Sequence, residues 1–151
     1  MIKSKKRRNI ILLALILIGI GLVPAIQNHN RKINMEEFFA SPRWSKLKLS
    51  YENHPIVNDC SLLFGDSMTE NFKEFITSDW ILNFGISGDF SIGLINRVNG
   101  VVRQQPKQIF IMIGINDLIE KIPISSVKNN YDNLLKQLLE ECPNSEIFVQ
   151  S

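Results

Sequence analysis

Gly65-Asp66-Ser67-Met68-Thr69-Glu70 directly follows the apolar run Leu62-Leu63-Phe64. A serine placed where a buried strand ends and a helix begins has an exposed hydroxyl. Its backbone N–H also lies at the positive end of the helix. That placement suits a nucleophile that must form an oxyanion. Two further loops offer donors of the right kind. In Asn83-Phe84-Gly85-Ile86-Ser87-Gly88-Asp89, Gly88 lacks a Cβ and can bring its N–H close, with Gly85 as its rival. In Gly114-Ile115-Asn116-Asp117, Asn116 offers a side-chain amide. Ser67, Gly88 and Asn116 together fit acyl transfer, with Asp66 expected to fix the first loop through hydrogen bonds.

A serine nucleophile also needs a base to take its proton. The two histidines, His29 and His54, both precede Ser67. His54, in Asn53-His54-Pro55, is expected on a loop at the opposite end of the sheet. Asp89 and Asp117 are carboxylates, which at ordinary acidity are poor bases toward a hydroxyl. Plainer roles fit each residue taken alone. Ser67 with Glu70 three positions on matches a helix capping box. Gly88 fits a turn, and Asn116 fits a cap before a short helix.

The elements that must position these loops are legible from residue 58 onward. Asp59–Phe64, Trp80–Phe84 and Gln108–Ile113 read as buried strands, and Glu146–Val149 opens a fourth. Between them, Met68–Thr77, Ser91–Gln104 and Ser125–Glu141 carry apolar residues at helical spacing. Phe72, Phe75 and Ile76 mark the first, and Leu94, Val98 and Val101 an inward stripe on the second. Continuously apolar strands alternating with amphipathic helices predict an α/β, flavodoxin-like three-layer sandwich with a parallel sheet. In such folds ligands bind at the carboxyl ends of the strands, where all three glycine-containing loops fall. Upstream, Lys32–Phe39 suits a short helix, Ser41-Pro42-Arg43 a break, and Trp44 and Tyr51 a cover for one edge.

GDSMTE at 65–70, NFGISGD at 83–89 and GIND at 114–117 resemble the first three blocks of the SGNH (GDSL-type) hydrolase family. The similarity covers roughly residues 58–151, and the second block looks most like acetylhydrolase-type and carbohydrate-esterase-type members. The resemblance implies a serine esterase or acylhydrolase with Ser67 as nucleophile. It implies an oxyanion hole formed by the Ser67 N–H, the Gly88 N–H and the Asn116 amide, with Asp66 and Asp117 in support. Neither metal nor organic cofactor is implied, and the substrate class is a small-molecule or glycan acyl ester. The family's fourth element, an Asp-x-x-His after a fifth strand, has no counterpart here. The expectation is a C-terminally incomplete domain of four strands whose activity is very weak or absent. A ligand-binding remnant of the same fold is the alternative.

Lys3, Lys5, Lys6, Arg7 and Arg8 precede Ile10–Ile26, a segment without charge. As a helix it would reach about 25 Å, slightly short of a hydrocarbon core of roughly 30 Å. It reads as a signal-anchor or as a cleaved signal peptide with Val23 and Ala25 before the cut. Either route carries the chain beyond Ile26 across the membrane. The expected organisation is 1–26 as this segment, 27–57 as linker and edge, and 58–151 as the hydrolase-type domain. The net charge of +2 comes from the terminal cations, and the remainder is acidic, which gives no reason to expect nucleic acid as a partner. Cys60 and Cys142 make no disulfide framework and read as small buried apolar side chains.

Overall fold

A computed structural model describes residues 35–150. The chain divides between Ala40 and Ser41. Of the first unit only residues 35–40 are described, and they are helical. Ile10–Ile26 and His29 lie outside the described residues. Among the described residues no helix is long and apolar enough to cross a membrane.

The second unit opens with α1, Pro42–Glu52. Ser41, expected to mark a break, is its N-cap: the side chain accepts from the Trp44 N–H, and Pro42 takes the first helical position. This helix lies within the segment expected as linker and edge and falls in the unit running from Ser41 to Ser151. Four parallel strands come next, in the order β2-β1-β3-β4. They are β1 (Ser61–Gly65), β2 (Ile81–Gly85), β3 (Gln108–Met112) and β4 (Glu146–Val149). Register places Phe64 beside both Phe84 and Ile111. Alternation then sends Leu62, Phe64, Leu82, Phe84, Ile109 and Ile111 to one face. There they pack with Leu94, Val98, Val101, Leu134 and Leu138 from the helices. Cys60 and Cys142 join this core as free thiols. The other face carries α2 (Ser67–Asn71) against β1 and β2, which completes the α/β sandwich.

Two expected helices are divided. Met68–Thr77 is instead α2 followed by a 3-10 turn, Phe72–Phe75. Asn83 Nδ2 donates to the Thr69 carbonyl at 2.6 Å, the acceptor that a continuing α-helix would offer to Lys73 N–H. Phe72 and Phe75 are exposed rather than inward. Ser91–Gln104 is split into α3 (Ser91–Asn96) and α4 (Asn99–Gln104). Arg97 leaves the helical region there, with φ −132° and ψ 16°, and sends its side chain into the interior. The remaining helices are α5 (Ile115–Ile119) and α6 (Ile124–Glu141).

Gly85 permits the contact between the two sides of the site. A Cβ there would stand 2.2 Å from the Glu70 backbone nitrogen and 2.7 Å from its Cα. Backbone atoms cannot swing aside as a side chain would. Gly85→Ala is therefore expected to cost about 2–3 kcal/mol as α2 is pushed off β2. Urea unfolding measures this, and a loss below about 0.5 kcal/mol would rule out so close an approach.

Candidate active site

The first loop leaves β1 at Gly65 and turns through Asp66 into α2. Asp66, not Ser67, is the helix N-cap, and its Oδ1 accepts the Met68 N–H at 3.0 Å. The capping-box role for Ser67 is thereby excluded. Its would-be partner Glu70 is engaged elsewhere: both carboxylate oxygens meet Arg43 Nη2, at 2.6 and 2.7 Å, and Oε2 also accepts the Ser87 N–H at 2.6 Å. Burial works against the charge on Glu70, but Arg43 and the Ser87 N–H outweigh it and hold the carboxyl below its ordinary value. Glu70 thus ties the nucleophile helix to the second loop. Ser67 stands at the first helical position, half-buried, with its hydroxyl not consumed in capping.

The second loop is drawn alongside the first. Ile86 N–H donates to the Gly65 carbonyl at 3.0 Å. Gly88 then adopts φ +83°, a conformation that suits glycine and aims the following backbone inward. From the third loop, Asn116 Nδ2 donates to the Asp89 carbonyl at 2.8 Å. One amide hydrogen is used there, and the other remains for an oxyanion. Among the described residues no protein acceptor meets the Ser67 N–H or the Gly88 N–H. Hydrogen bonds thus join the first loop to the second and the second to the third, and each expected donor keeps a hydrogen to give.

Asp117 faces elsewhere. It is fully buried and accepts from the Ser91 N–H at 2.9 Å and the Ser91 hydroxyl at 2.6 Å. Asn130 Nδ2 donates to the same hydroxyl at 2.8 Å. Asp117 braces the start of α3 just after the second loop, which is support of a structural kind. His54 makes its polar contacts away from Ser67. Its carbonyl accepts from Arg103 and Gln104 at the end of α4, its Nδ1 lies 2.9 Å from the Pro55 carbonyl, and its ring abuts Phe84. No imidazole from the described residues reaches Ser67.

Arg97 is a residue that the sequence does not single out. It is completely buried, with Nε 2.8 Å from Asp89 Oδ2, Nη1 2.6 Å from the Phe84 carbonyl and Nη2 2.8 Å from the Gly65 carbonyl. Asp89 also accepts from the Trp44 indole at 3.2 Å and from the Phe90 N–H at 3.0 Å. Tyr51 adds a hydrogen bond to the Gly85 carbonyl at 2.7 Å. Burial raises the Asp89 carboxyl and lowers the Arg97 guanidinium from their ordinary values, while their mutual attraction opposes both shifts. The one available signal is a single cation inside an inward apolar stripe, eight residues after an aspartate.

Between Asp66 and Met68 of the first loop and Ile113–Ile115 of the third lies a cavity of about 410 Å³. Met68, Met112, Ile113, Ile115, Leu118 and Val127 give it apolar walls, and Asp66 is its acidic member. Asp66 Oδ2 is buried without a hydrogen-bond partner. Burial raises this carboxyl above its ordinary 3.8, the Met68 N–H pulls it down, Asp117 adds to the rise and Arg97 opposes it. Among the described residues no cluster of His, Cys, Asp and Glu is arranged to hold a metal.

The raised carboxyl carries a sign. A folded state that binds the Asp66 proton more readily than the unfolded chain is favoured in acid. It loses that advantage as pH rises above 3.8 through the folded value. Asp66→Asn removes the buried charge and keeps an oxygen for Met68. The variant should match the parent in thermal midpoint at acid pH and exceed it increasingly toward neutrality. Parallel midpoints across the range would show that Asp66 is not destabilised by its burial.

Comparison with known proteins bears on the family and the fold. The model of the GDSL-like lipase/acylhydrolase family matches residues 63–151. A structure from Streptococcus pneumonia assigned as a platelet activating factor superposes with a TM-score of 0.64 at 27% identity, covering 78% of this chain and 58% of that one. A structure from Bacteroides fragilis assigned as an acylhydrolase shares the fold, with a TM-score of 0.60, 16% identity, and coverage of 70% and 55%. The psychrotrophic esterase EstA from Pseudoalteromonas sp. shares it more distantly, at 0.50 and 21%, with coverage of 61% and 58%. The chain thus spans less than two thirds of the length of each of these structures. No curated protein matches it. The expectation drawn from the three blocks holds: this chain belongs to the GDSL-like lipase/acylhydrolase family.

Proposed function

We propose that the domain is an exported or membrane-anchored serine esterase site for acyl esters, with short-chain or O-acetyl groups as the favoured class. One observation supports it above the rest. The Ser67 N–H, the Gly88 N–H and one Asn116 amide hydrogen are unclaimed at three adjoining strand ends, beside a serine whose hydroxyl is not used as a cap. In this scheme Ser67 Oγ attacks the ester carbonyl. The three donors hold the oxygen as its negative charge develops, and collapse of the adduct expels the alcohol and leaves acyl-Ser67. Water then releases the acid. The acyl portion rests against the apolar walls of the neighbouring cavity.

The Ser67 hydroxyl proton needs an acceptor in this scheme. No histidine follows Ser67 in these 151 residues, and the His54 ring lies against Phe84 with Nδ1 2.9 Å from the Pro55 carbonyl. On these residues alone the proposal assigns no base to the Ser67 hydroxyl. Loss of one triad member typically lowers turnover by roughly 10⁴–10⁶ and leaves the oxyanion donors and binding to act alone. A second reading of the same loops is a site that holds an acyl group or glycan ester without cleaving it.

Hydrolysis of p-nitrophenyl acetate separates the two. The full chain is expected to turn over only slightly above buffer. Free imidazole should accelerate the unsubstituted chain beyond its effect on Ser67→Ala, by supplying the base from solution. Fast turnover that depends on Ser67 without imidazole would refute the low activity. Equal rates for parent and Ser67→Ala with imidazole would favour binding alone.

A further inference from the structure

A fully buried arginine carries a large desolvation penalty, and an apolar side chain of similar volume would fill the same space without it. Arg97 nevertheless lies among Leu94, Val98 and Val101 in the core-facing stripe, only 1% exposed. Its partners are not scattered through the core. Gly65, whose carbonyl takes Nη2, is two residues before Ser67. Phe84, whose carbonyl takes Nη1, closes the strand that leads to Gly88. Asp89, which takes Nε, is the residue after Gly88, and its own carbonyl accepts the Asn116 amide. One planar group thus touches the backbone leading to the nucleophile, the backbone leading to the second donor, and the residue that orients the third. The guanidinium carbon stands 4.6 Å from the centre of the Phe64 ring, so it is fixed from one side as well as at its edge.

We propose that Arg97 is a positioning residue, which sets the relative placement of Ser67, Gly88 and Asn116 through the Gly65 and Phe84 carbonyls and Asp89. Its bearing on catalysis rests on the esterase reading, while the coupling between the loops does not. The fork geometry is essential, because a guanidinium reaches acceptors in several directions within one plane. An ammonium is a single point of charge and cannot span them. Tyr51 and Trp44 complete the device from α1, on the Gly85 carbonyl and Asp89.

Hydrogen–deuterium exchange on the full 151-residue chain in detergent tests the coupling with Arg97→Lys. Peptides covering 64–70, 85–90 and 114–118 are expected to exchange about tenfold faster or more, while β3 and α6 stay within about twofold of the parent. A uniform rise across loops, β3 and α6 would mean that Arg97 serves core stability only and would overturn the proposal, as would unchanged loops. Asp89→Asn keeps the shape and an acceptor for Trp44 and Phe90, so it covers the case in which the lysine variant does not fold. It should loosen 85–90 and 114–118 more than 64–70, because Arg97 holds the Gly65 carbonyl independently of Asp89. Equal loosening of all three would count against the mechanism. Failure of the esterase reading shows separately, as absence of imidazole-assisted, Ser67-dependent turnover in the unsubstituted chain.

Discussion

The buried pair between Arg97 and Asp89 is the constraint around which the strand-end loops are arranged. Both side chains are fully inaccessible, and their ion pair is 2.8 Å long. Two charges taken from water at such depth are tolerated only when the remaining donors and acceptors are also satisfied. Here they are. Asp89 receives the guanidinium, the indole and a backbone N–H, and Arg97 spends its other donors on two carbonyls. Those carbonyls lie at or next to the last residues of neighbouring parallel strands. Arg97 therefore supplies partners at the sheet's carboxyl edge from a position inside the core.

This arrangement explains the irregular helix after the second loop. A continuous helix over Ser91–Gln104 would satisfy the apolar periodicity, and Leu94, Val98 and Val101 are buried as that periodicity demands. It would also keep Arg97 on a regular helical backbone. The break at Arg97 lets the chain bury both the stripe and the cation, at the loss of a few intrahelical hydrogen bonds. Similar logic governs α2. Thr69 is buried against the sheet and surrenders its carbonyl to Asn83, so the helix tightens into a 3-10 turn within two turns of its start. In both places a polar contact made beyond the helix overrides local propensity.

The same distinction sets how much is legible in the sequence. Strand positions follow from short apolar runs such as QIFIM, whose apolar character is a local property, and the observed strands lie within a residue or two of those runs. The three loops carrying Ser67, Gly88 and Asn116 are legible because glycine and short polar residues punctuate the strand ends. Long-range polar contacts are not legible. Nothing in the spacing of Arg43, Glu70 and Ser87 foretells that one carboxylate joins them. Trp44 and Tyr51 are expected from sequence only to cover an edge, yet each carries a hydrogen bond into the network beneath the site. Ser67 and Glu70 match a capping box in spacing, but Asp66 takes the cap because it stands one residue closer to the strand.

The distribution of unsatisfied polar groups bears directly on function. Interiors generally pair their buried donors and acceptors, and exceptions call for an explanation. In this domain Asp66 Oδ2 is buried without a partner, and the N–H groups of Ser67 and Gly88 lack protein acceptors among the described residues. All three fall on the two loops after β1 and β2. Around them, Arg97, Asn83, Glu70 and Tyr51 satisfy neighbouring backbone groups with side chains drawn from several elements. A fold that only failed to pair its polar atoms would leave them scattered. Here the surrounding groups are paired, and the half-buried Ser67 and Gly88 keep N–H groups without a protein acceptor among the described residues. Under the proposed esterase reading this is what electrostatic preorganisation requires: donors held by the fold before the reaction, so that a developing oxyanion would meet them already oriented.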